Sequence, residues 1–362
     1  MFSPIPAGKG VLKIKLLNIS EKKSKTLVGV LLGILAVIII FIVILKLSSP
    51  EPFEATTYAM GTYVQQTVYG GNPSEAAEKG ANAVVNLENE ISWRIVDSDI
   101  AAINEAAGKT WTQVSDSTYS ILSEALDVCE KSGGDFDITI APLSLLWNFD
   151  DSPTAPPSDG QIQKFLPYVD YTKLRSDPNE KSFSFKNTGY AVDLGAIGKG
   201  AACDAVVKEY AGTDIEYGIV AVGGSVGTYG KKPFGSKWNI AVRDPEGGES
   251  IGSLSIEGGF VSTSGSYEKR FEYEGREYHH ILDPKTGYPV ENGLVSVTIV
   301  GGSGALSDAL STACFVKGYD ESLELLHAYG AGGIFVYADK SIRVTENLKD
   351  SFSLSNKNYY IE

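Results

Sequence analysis

Cysteine is scarce: three residues in 362, at positions 129, 203 and 314. None forms a Cys-x-x-Cys pair, so neither a zinc ribbon nor a redox dithiol is encoded, and the odd count excludes a fully paired set of intrachain disulfides. Each lies in an apolar helical pattern, the setting of a small buried hydrophobe. Basic residues are in deficit as well, with 31 Lys and Arg against 45 Asp and Glu, a net charge of −14. That balance excludes a nucleic-acid partner, because contact with phosphate backbones needs a basic footprint. An acidic chain that binds a polyphosphate must therefore neutralise it locally, with a cation or with helix N-termini. No repeat of fixed period is present, which excludes a solenoid or propeller.

What is abundant is glycine, at 39 residues, in clusters such as Gly223-Gly224 and Gly301-Gly302 that signal tight turns. Residues 27–45 form one apolar run of 19 residues without a charge. At ~1.5 Å per residue such a run spans about 28 Å, the thickness of the hydrocarbon core. No small-x-small cleavage site follows it and no cysteine is placed to accept a lipid, so an uncleaved anchor is expected rather than a signal peptide. Lys9, Lys13, Lys15, Lys22, Lys23 and Lys25 precede the run against Glu21 alone, which keeps the N-terminus cytoplasmic. The expected organisation is a basic tail over 1–26, a transmembrane anchor over 27–45, a linker over 46–57 containing Pro50 and Pro52, and one domain over 58–362. A single-pass cell-membrane protein with its domain outside is expected, and the low cysteine use suits a Gram-positive surface.

In the domain, apolar residues at Ala77, Ala81, Val84, Leu87 and Ile91 predict a helix over 74–91. Further helices are expected from Ser98 to Asn104 and over 117–132, 201–211 and 305–317. Strands are expected over 63–69, 183–185, 217–222, 238–242, 294–300 and 333–338. Helices and strands mix without regular alternation, which predicts an α+β architecture with antiparallel sheets rather than a doubly wound fold.

Four segments carry candidate chemistry. In 192–204 a short strand enters a Gly-rich turn and then a helix, which would expose backbone N–H groups to an anion and set Lys199 beside it. A purely structural strand-helix corner has the same pattern. In 279–287 two adjacent histidines precede an Asp-Pro-Lys-Thr-Gly turn. On a strand only one of the two can face a common site, where an imidazole would be a natural general base; a packed, hydrogen-bonded histidine is the plainer alternative. In 307–312, a helix places Asp308, Ser311 and Thr312 on one face as hard oxygen ligands suited to magnesium, unless Ser307 or Asp308 simply caps the helix. In 133–147 acidic, aromatic and apolar groups follow a Gly-Gly turn, a composition that can line a pocket for a flat ring or simply fill a core.

In this order the segments resemble the ApbE family of FAD:protein FMN transferases. The resemblance runs from about residue 58 to 318. It includes Ala59-Met60-Gly61-Thr62, Ser92-Trp93, Asp97-Ser98, Asn104, Asp135-Phe136-Asp137, the 193–200 turn, Gly223-Gly224, Asp244-Pro245, Ser262-Thr263-Ser264-Gly265, and the His280 and Asp308 segments. Ser225 departs from the family, which often has an acidic residue there. The resemblance implies a two-lobed ApbE-like fold and magnesium-dependent transfer of FMN from FAD to a Ser or Thr hydroxyl of an acceptor flavoprotein. It implies His280 as the base, and Met60, Trp93 (or Arg94), Asp135, Phe136, Asp137, Asp193, Lys199 and Leu282 at FAD. Asp308, Thr312 and the carbonyl of Ala196 would hold magnesium. The acceptor would carry a Ser/Thr-Gly-Ala-Thr-like motif; Gly301–Leu306 here lacks its terminal hydroxyl, so the chain is expected to modify others and not itself. FAD hydrolysis to FMN and AMP, or flavin binding without catalysis, are the alternatives.

Overall fold

A two-residue turn at Met60-Gly61 folds β1 (Phe53–Ala59) back on β2 (Thr62–Tyr69), with Ala59 paired to Thr62. The chain is a computed structural model that describes residues 26, 28–38, 50–151 and 153–362. The residues expected to be linker contribute to this hairpin from Phe53 onward. Pro50 and Pro52 lie just ahead of the strand, and the Thr- and Tyr-rich run beyond them suits a ladder.

Seven more strands complete a nine-stranded sheet among the described residues. They are β3 (Tyr217–Val222), β4 (Ser225–Gly230), β5 (Phe260–Gly265), β6 (Leu294–Gly301), β7 (Gly332–Tyr337), β8 (Ser341–Val344) and β9 (Tyr360–Ile361). The strands lie side by side in chain order. All neighbours are antiparallel except β8 and β9. Alternation along each strand divides two cores. On β7, Phe335 faces one and Ile334 and Val336 face the other.

The first core is covered by helices α1 (Pro73–Ile91), α2 (Asp99–Glu105), α3 (Asp116–Ser132), α6 (Gly198–Ala211) and α7 (Gly304–Lys317), which bury residues such as Val84, Leu87, Leu122, Val206, Leu310 and Phe315. Between α3 and α6 lie the short helices α4 (Ala141–Trp147) and α5 (Asp159–Phe165), and after α7 comes α8 (Tyr319–Ala328). On the other face a small sheet of Trp238–Arg243, Ser250–Ile256 and Phe352–Leu354 supplies Trp238, Ile251, Leu254 and Phe352. A third cluster joins Leu143, Trp147, Ile162 and Leu282. The α+β class and antiparallel sheets stand as expected. The two expected lobes are layers of one compact unit, Glu51–Glu362.

The separate N-terminal unit is Met1–Pro50. Within the expected anchor, 28–38 are helical and exposed, while position 27 and positions 39–45 lie outside the described residues, as does most of the basic tail. Among the described residues no helix is long and apolar enough to cross a membrane.

Candidate active site

Two helix N-termini meet at close quarters. A Cβ on Gly200 would stand 2.0 Å from the carbonyl oxygen of Gly304, and one on Gly304 would stand 2.2 Å from that of Gly200. Only glycine permits this approach of α6 to α7. The crossing brings Asp308 onto the 193–200 turn, where its Oδ2 accepts from the backbone N–H of Gly200 at 2.9 Å. Helix α7 begins at Gly304, capped by the Ser303 hydroxyl on the N–H of Leu306 at 3.1 Å. Asp308 therefore sits in the second turn and caps α6, and neither it nor Ser307 caps its own helix.

Asp308 is only 2% exposed, and its Oδ1 has no hydrogen-bond partner among the described residues. Oδ1 is not among the buried atoms left without a partner, so it is open to water or to a cation. Other hard oxygens lie close by in the structure. One turn along α7, the Ser264 hydroxyl links to Ser311 Oγ at 2.7 Å and to Thr312 Oγ1 at 3.0 Å. Because Asp308 takes the Gly200 N–H, that group does not bond the carbonyl of Ala196 four residues back, and the Ala196 oxygen accepts no hydrogen bond among the described residues. A carboxylate, a hydroxyl and a free carbonyl are a donor set that fits magnesium, which completes its shell with water and phosphate. No group of three or more His, Cys, Asp or Glu suited to a metal occurs among the described residues. A softer transition metal would want such a group.

The turn itself is held from outside. Asn104 clamps Val192, donating to its carbonyl at 2.9 Å and accepting from its N–H at 2.7 Å. Asp193 donates its own N–H to the carbonyl of Ile138 at 2.8 Å, and its Oδ1 accepts from Gly195 at 2.8 Å. Lys199 Nζ donates to the carbonyl of Gly195 at 3.2 Å, so its ammonium stays at the turn. Its stem runs past Gly223, where an added Cβ would lie 3.3 Å from Lys199 Cδ and 3.1 Å from Thr62 Oγ1. The paired glycines thus let the β3–β4 turn approach this lysine.

Met60 stands on the same side. Its φ of 53° is left-handed, costly for a long side chain, and the following Gly61 has φ 68°. The strained turn carries the Met60 methyl to 3.4 Å from where a Gly198 Cβ would be.

The two histidines separate as a strand requires. His279 points inward: its Nε2 donates to the carbonyl of Val290 at 2.9 Å, its Nδ1 accepts from the N–H of Ile281 at 3.3 Å, and its ring stands edge-on to Phe315. His280 follows the hairpin Arg270–Tyr273 and Arg276–His279, and its N–H is bonded to the carbonyl of Lys269 at 3.0 Å. Its Nδ1 is buried with no hydrogen-bond partner among the described residues. Burial, helped by the ammonium groups of Lys199 and Lys269, holds the His280 imidazole down to about 3. At neutral pH the ring is therefore uncharged.

The 133–137 segment divides. The Asp135 carboxylate, 8% exposed, is paired with Lys285 and Lys317 at 2.6 Å each. Phe136 and Asp137, expected at the ligand, are both buried. Phe136 is 3% exposed in the main core. Asp137 gives one oxygen to Thr139, backbone and hydroxyl, and the other to the N–H of Tyr171 at 2.9 Å, while burial raises its pKa. Leu282 likewise packs with Leu143, Trp147 and Ile162. Trp93 is half-buried, with the Arg94 guanidinium 4.1 Å above its ring; Arg94 and Lys269 both pair with Asp150. Asp244 serves structure, accepting from Tyr359 at 2.6 Å and Asn356 at 3.0 Å.

Sequence reasoning missed Asp204. Its Oδ1 accepts from Gly304 at 2.7 Å and its Oδ2 from Ala305 at 2.8 Å, the first N–H groups of α7. Nothing local signals a partner 100 residues away.

Comparison with known proteins identifies the family. The model of the ApbE family matches residues 60–335. The FAD:protein FMN transferase of Treponema pallidum (strain Nichols) is 31% identical over 331 residues, covering 86% of this chain and 91% of that protein. The enzyme of the same description from Escherichia coli (strain K12) is 28% identical over 280 residues, covering 75% and 80%. The crystal structure of the ApbE protein from Thermotoga maritima matches with a TM-score of 0.78 at 32% identity, covering 83% of this chain and 99% of that one. The flavin transferase ApbE from Vibrio cholerae shares the fold, with a TM-score of 0.74 at 23% identity over 83% and 99%. With the family model matching residues 60–335 and a relative 31% identical over most of its length, this chain belongs to the ApbE family.

Proposed function

We propose that this chain is an FAD:protein FMN transferase that moves FMN from FAD to a Ser or Thr hydroxyl of an acceptor flavoprotein and releases AMP. The reading is supported by the bonds of Asp308 and Lys199 to the 193–200 turn, and by the buried, unpartnered Nδ1 of His280, which lies within the electrostatic reach of Lys199. Magnesium, held by Asp308, Thr312 and the Ala196 carbonyl, would neutralise the FAD diphosphate and make AMP a better leaving group. Lys199, through its ammonium and through its own backbone N–H, which unlike those of Gly198, Gly200 and Ala201 has no acceptor among the described residues, would bind and orient the phosphates. His280, neutral and with an unoccupied ring nitrogen, takes the proton of the acceptor hydroxyl as its oxygen bonds to the FMN phosphorus and the bridging P–O bond to AMP breaks. An anion bound beside His280 would offset the two lysines and raise its pKa from the value that burial mainly sets. Met60, Trp93, Asp135 and Asp193 are the remaining proposed FAD contacts.

The acceptor is another protein with a Ser/Thr-Gly-Ala-Thr-like motif. The Ser303 hydroxyl of this chain is spent on the N–H of Leu306 and on Glu124, which supports transfer to others. The 27–45 run would anchor the domain outside the cell membrane. Its support is the uncharged run itself, the lysines before it, and large apolar side chains exposed along 28–38, such as Leu32 at 59% and Val37 at 66%.

The test is to incubate the full chain with FAD, Mg²⁺ and an acceptor-motif peptide, then separate free from peptide-bound FMN. Bound FMN with equal AMP is expected. Free FMN alone would identify a hydrolase instead.

A further inference from the structure

The two helices that build the site cap each other reciprocally. Gly200 at the start of α6 donates its N–H to Asp308 of α7 at 2.9 Å, and Gly304 at the start of α7 donates to Asp204 of α6 at 2.7 Å. Each glycine is followed four residues later by the carboxylate that serves the other helix. The backbones touch at the two glycines in both directions, with the added Cβ atoms at 2.0 and 2.2 Å from the opposing carbonyls. The local arrangement is close to a two-fold pair.

The symmetry breaks at the carboxylates. Asp204 also accepts from Ala305 at 2.8 Å, so both of its oxygens are occupied. Asp308 accepts one bond and keeps Oδ1 open. Helix α6 has no side-chain cap of its own at Ile197, whereas α7 has Ser303. Helix α7 therefore does not need Asp204 in order to begin. What Asp204 adds is a rigid two-bond tie between the first turn of α7 and the second turn of α6, and that tie fixes the rotation and height of α7 on the 193–200 turn.

We propose that Asp204 is a positioning residue for the cation site: by holding the start of α7 it sets the open oxygen of Asp308 against the Ala196 carbonyl. This rests on the function proposed above. Asp204 touches neither metal nor substrate. A charge-assisted pair of N–H bonds is stiffer than a neutral one, and a hard divalent ion near ideal octahedral geometry tolerates little misplacement of its ligands.

The test compares Asp204→Asn with Ser303→Ala. Asparagine keeps the shape but turns one acceptor into an amide that faces a backbone N–H. Ser303→Ala removes the ordinary cap of the same helix and leaves the tie intact. Mn²⁺ binding to the full chain with FAD present is read by electron paramagnetic resonance, alongside FAD affinity without metal and unfolding in urea. Asp204→Asn is expected to weaken Mn²⁺ binding at least tenfold with metal-free FAD affinity unchanged, and Ser303→Ala to lower stability while Mn²⁺ binding stays as in the wild type. Equal Mn²⁺ affinity in Asp204→Asn and wild type would overturn the proposal, as would the same weakening in Ser303→Ala. Should Asp204→Asn not fold, Asp204→Glu keeps both acceptors and lengthens the tie; it is expected to weaken Mn²⁺ binding, and wild-type affinity there would overturn the proposal equally. A wild-type chain that binds no Mn²⁺ with FAD would remove the proposed function itself, a result separable from the others because it needs no variant.

Discussion

Gly200→Ala adds one methyl group where the structure has no room for it. The new Cβ would lie 2.0 Å from the Gly304 oxygen, 2.4 Å from its carbonyl carbon and 2.7 Å from Asp308 Cβ. The first two are backbone atoms that cannot rotate away, so α6 and α7 must separate by about 1 Å to restore ordinary contact. In an open helix, Gly to Ala gains ~1 kcal/mol from propensity. Overpacking here costs about 1–3 kcal/mol, so the net loss is on the order of 1 kcal/mol and the domain stays folded. Function fares worse, because a displacement of about 1 Å at a reacting centre costs ~100-fold in rate, and this one pulls Asp308 off the turn. The assay pairs urea unfolding with the rate of FMN transfer to an acceptor peptide. Gly160→Ala in α5 is the control, since its added Cβ meets nothing within 4 Å. Transfer by Gly200→Ala at more than a third of the wild-type rate would refute the claim that the glycine crossing sets the site.

Met60→Gly is expected to act in the opposite sense on stability. It relieves the left-handed φ of 53°, worth ~1 kcal/mol, yet removes a proposed FAD contact; a higher urea midpoint with weaker FAD binding is the predicted pair, and unchanged FAD affinity would contradict it. His280 is held down to about 3 in the folded chain, against an ordinary value near 6.5 when unfolded. The unfolded state then binds more protons between those values, so this contribution to stability is present above pH 6.5 and is lost as pH falls toward 3. His280→Asn should therefore lose about 1–2 kcal/mol less than wild type between pH 7 and pH 5. His279, lowered by burial as well, is common to both proteins. Equal pH slopes in urea titrations would exclude the low value.

Much of the architecture is written locally. The spacing of Ala77, Val84, Leu87 and Ile91 marks α1, and Ser98 caps α2 through the N–H of Ala101 at 3.0 Å. Those signals act over one or two turns and need no tertiary context. β1 was hidden by prolines that lie just outside it. The turn at 193–200, Lys199, His280 and Asp308 stand out in the sequence because each combines a special residue with a special local shape. For Phe136 and Asp137, composition cannot tell a ring that lines a pocket from one that fills a core, nor a carboxylate offered to a ligand from one that also holds Thr139 and Tyr171. Asp204 was invisible because its partners come from the start of α7. The choice between His279 and His280 needed the third dimension also: alternation says they diverge, and only the bond to Val290 shows which one is committed to the fold.

The most direct measurement is single-turnover transfer followed by mass spectrometry of the acceptor peptide, with FAD binding monitored in parallel, for wild type, Asp308→Ala and His280→Asn. Wild type should carry one FMN on its acceptor hydroxyl, while both variants still bind FAD and leave the peptide unmodified. Transfer at the wild-type rate by either variant would contradict a pocket in which that carboxylate and that imidazole act together.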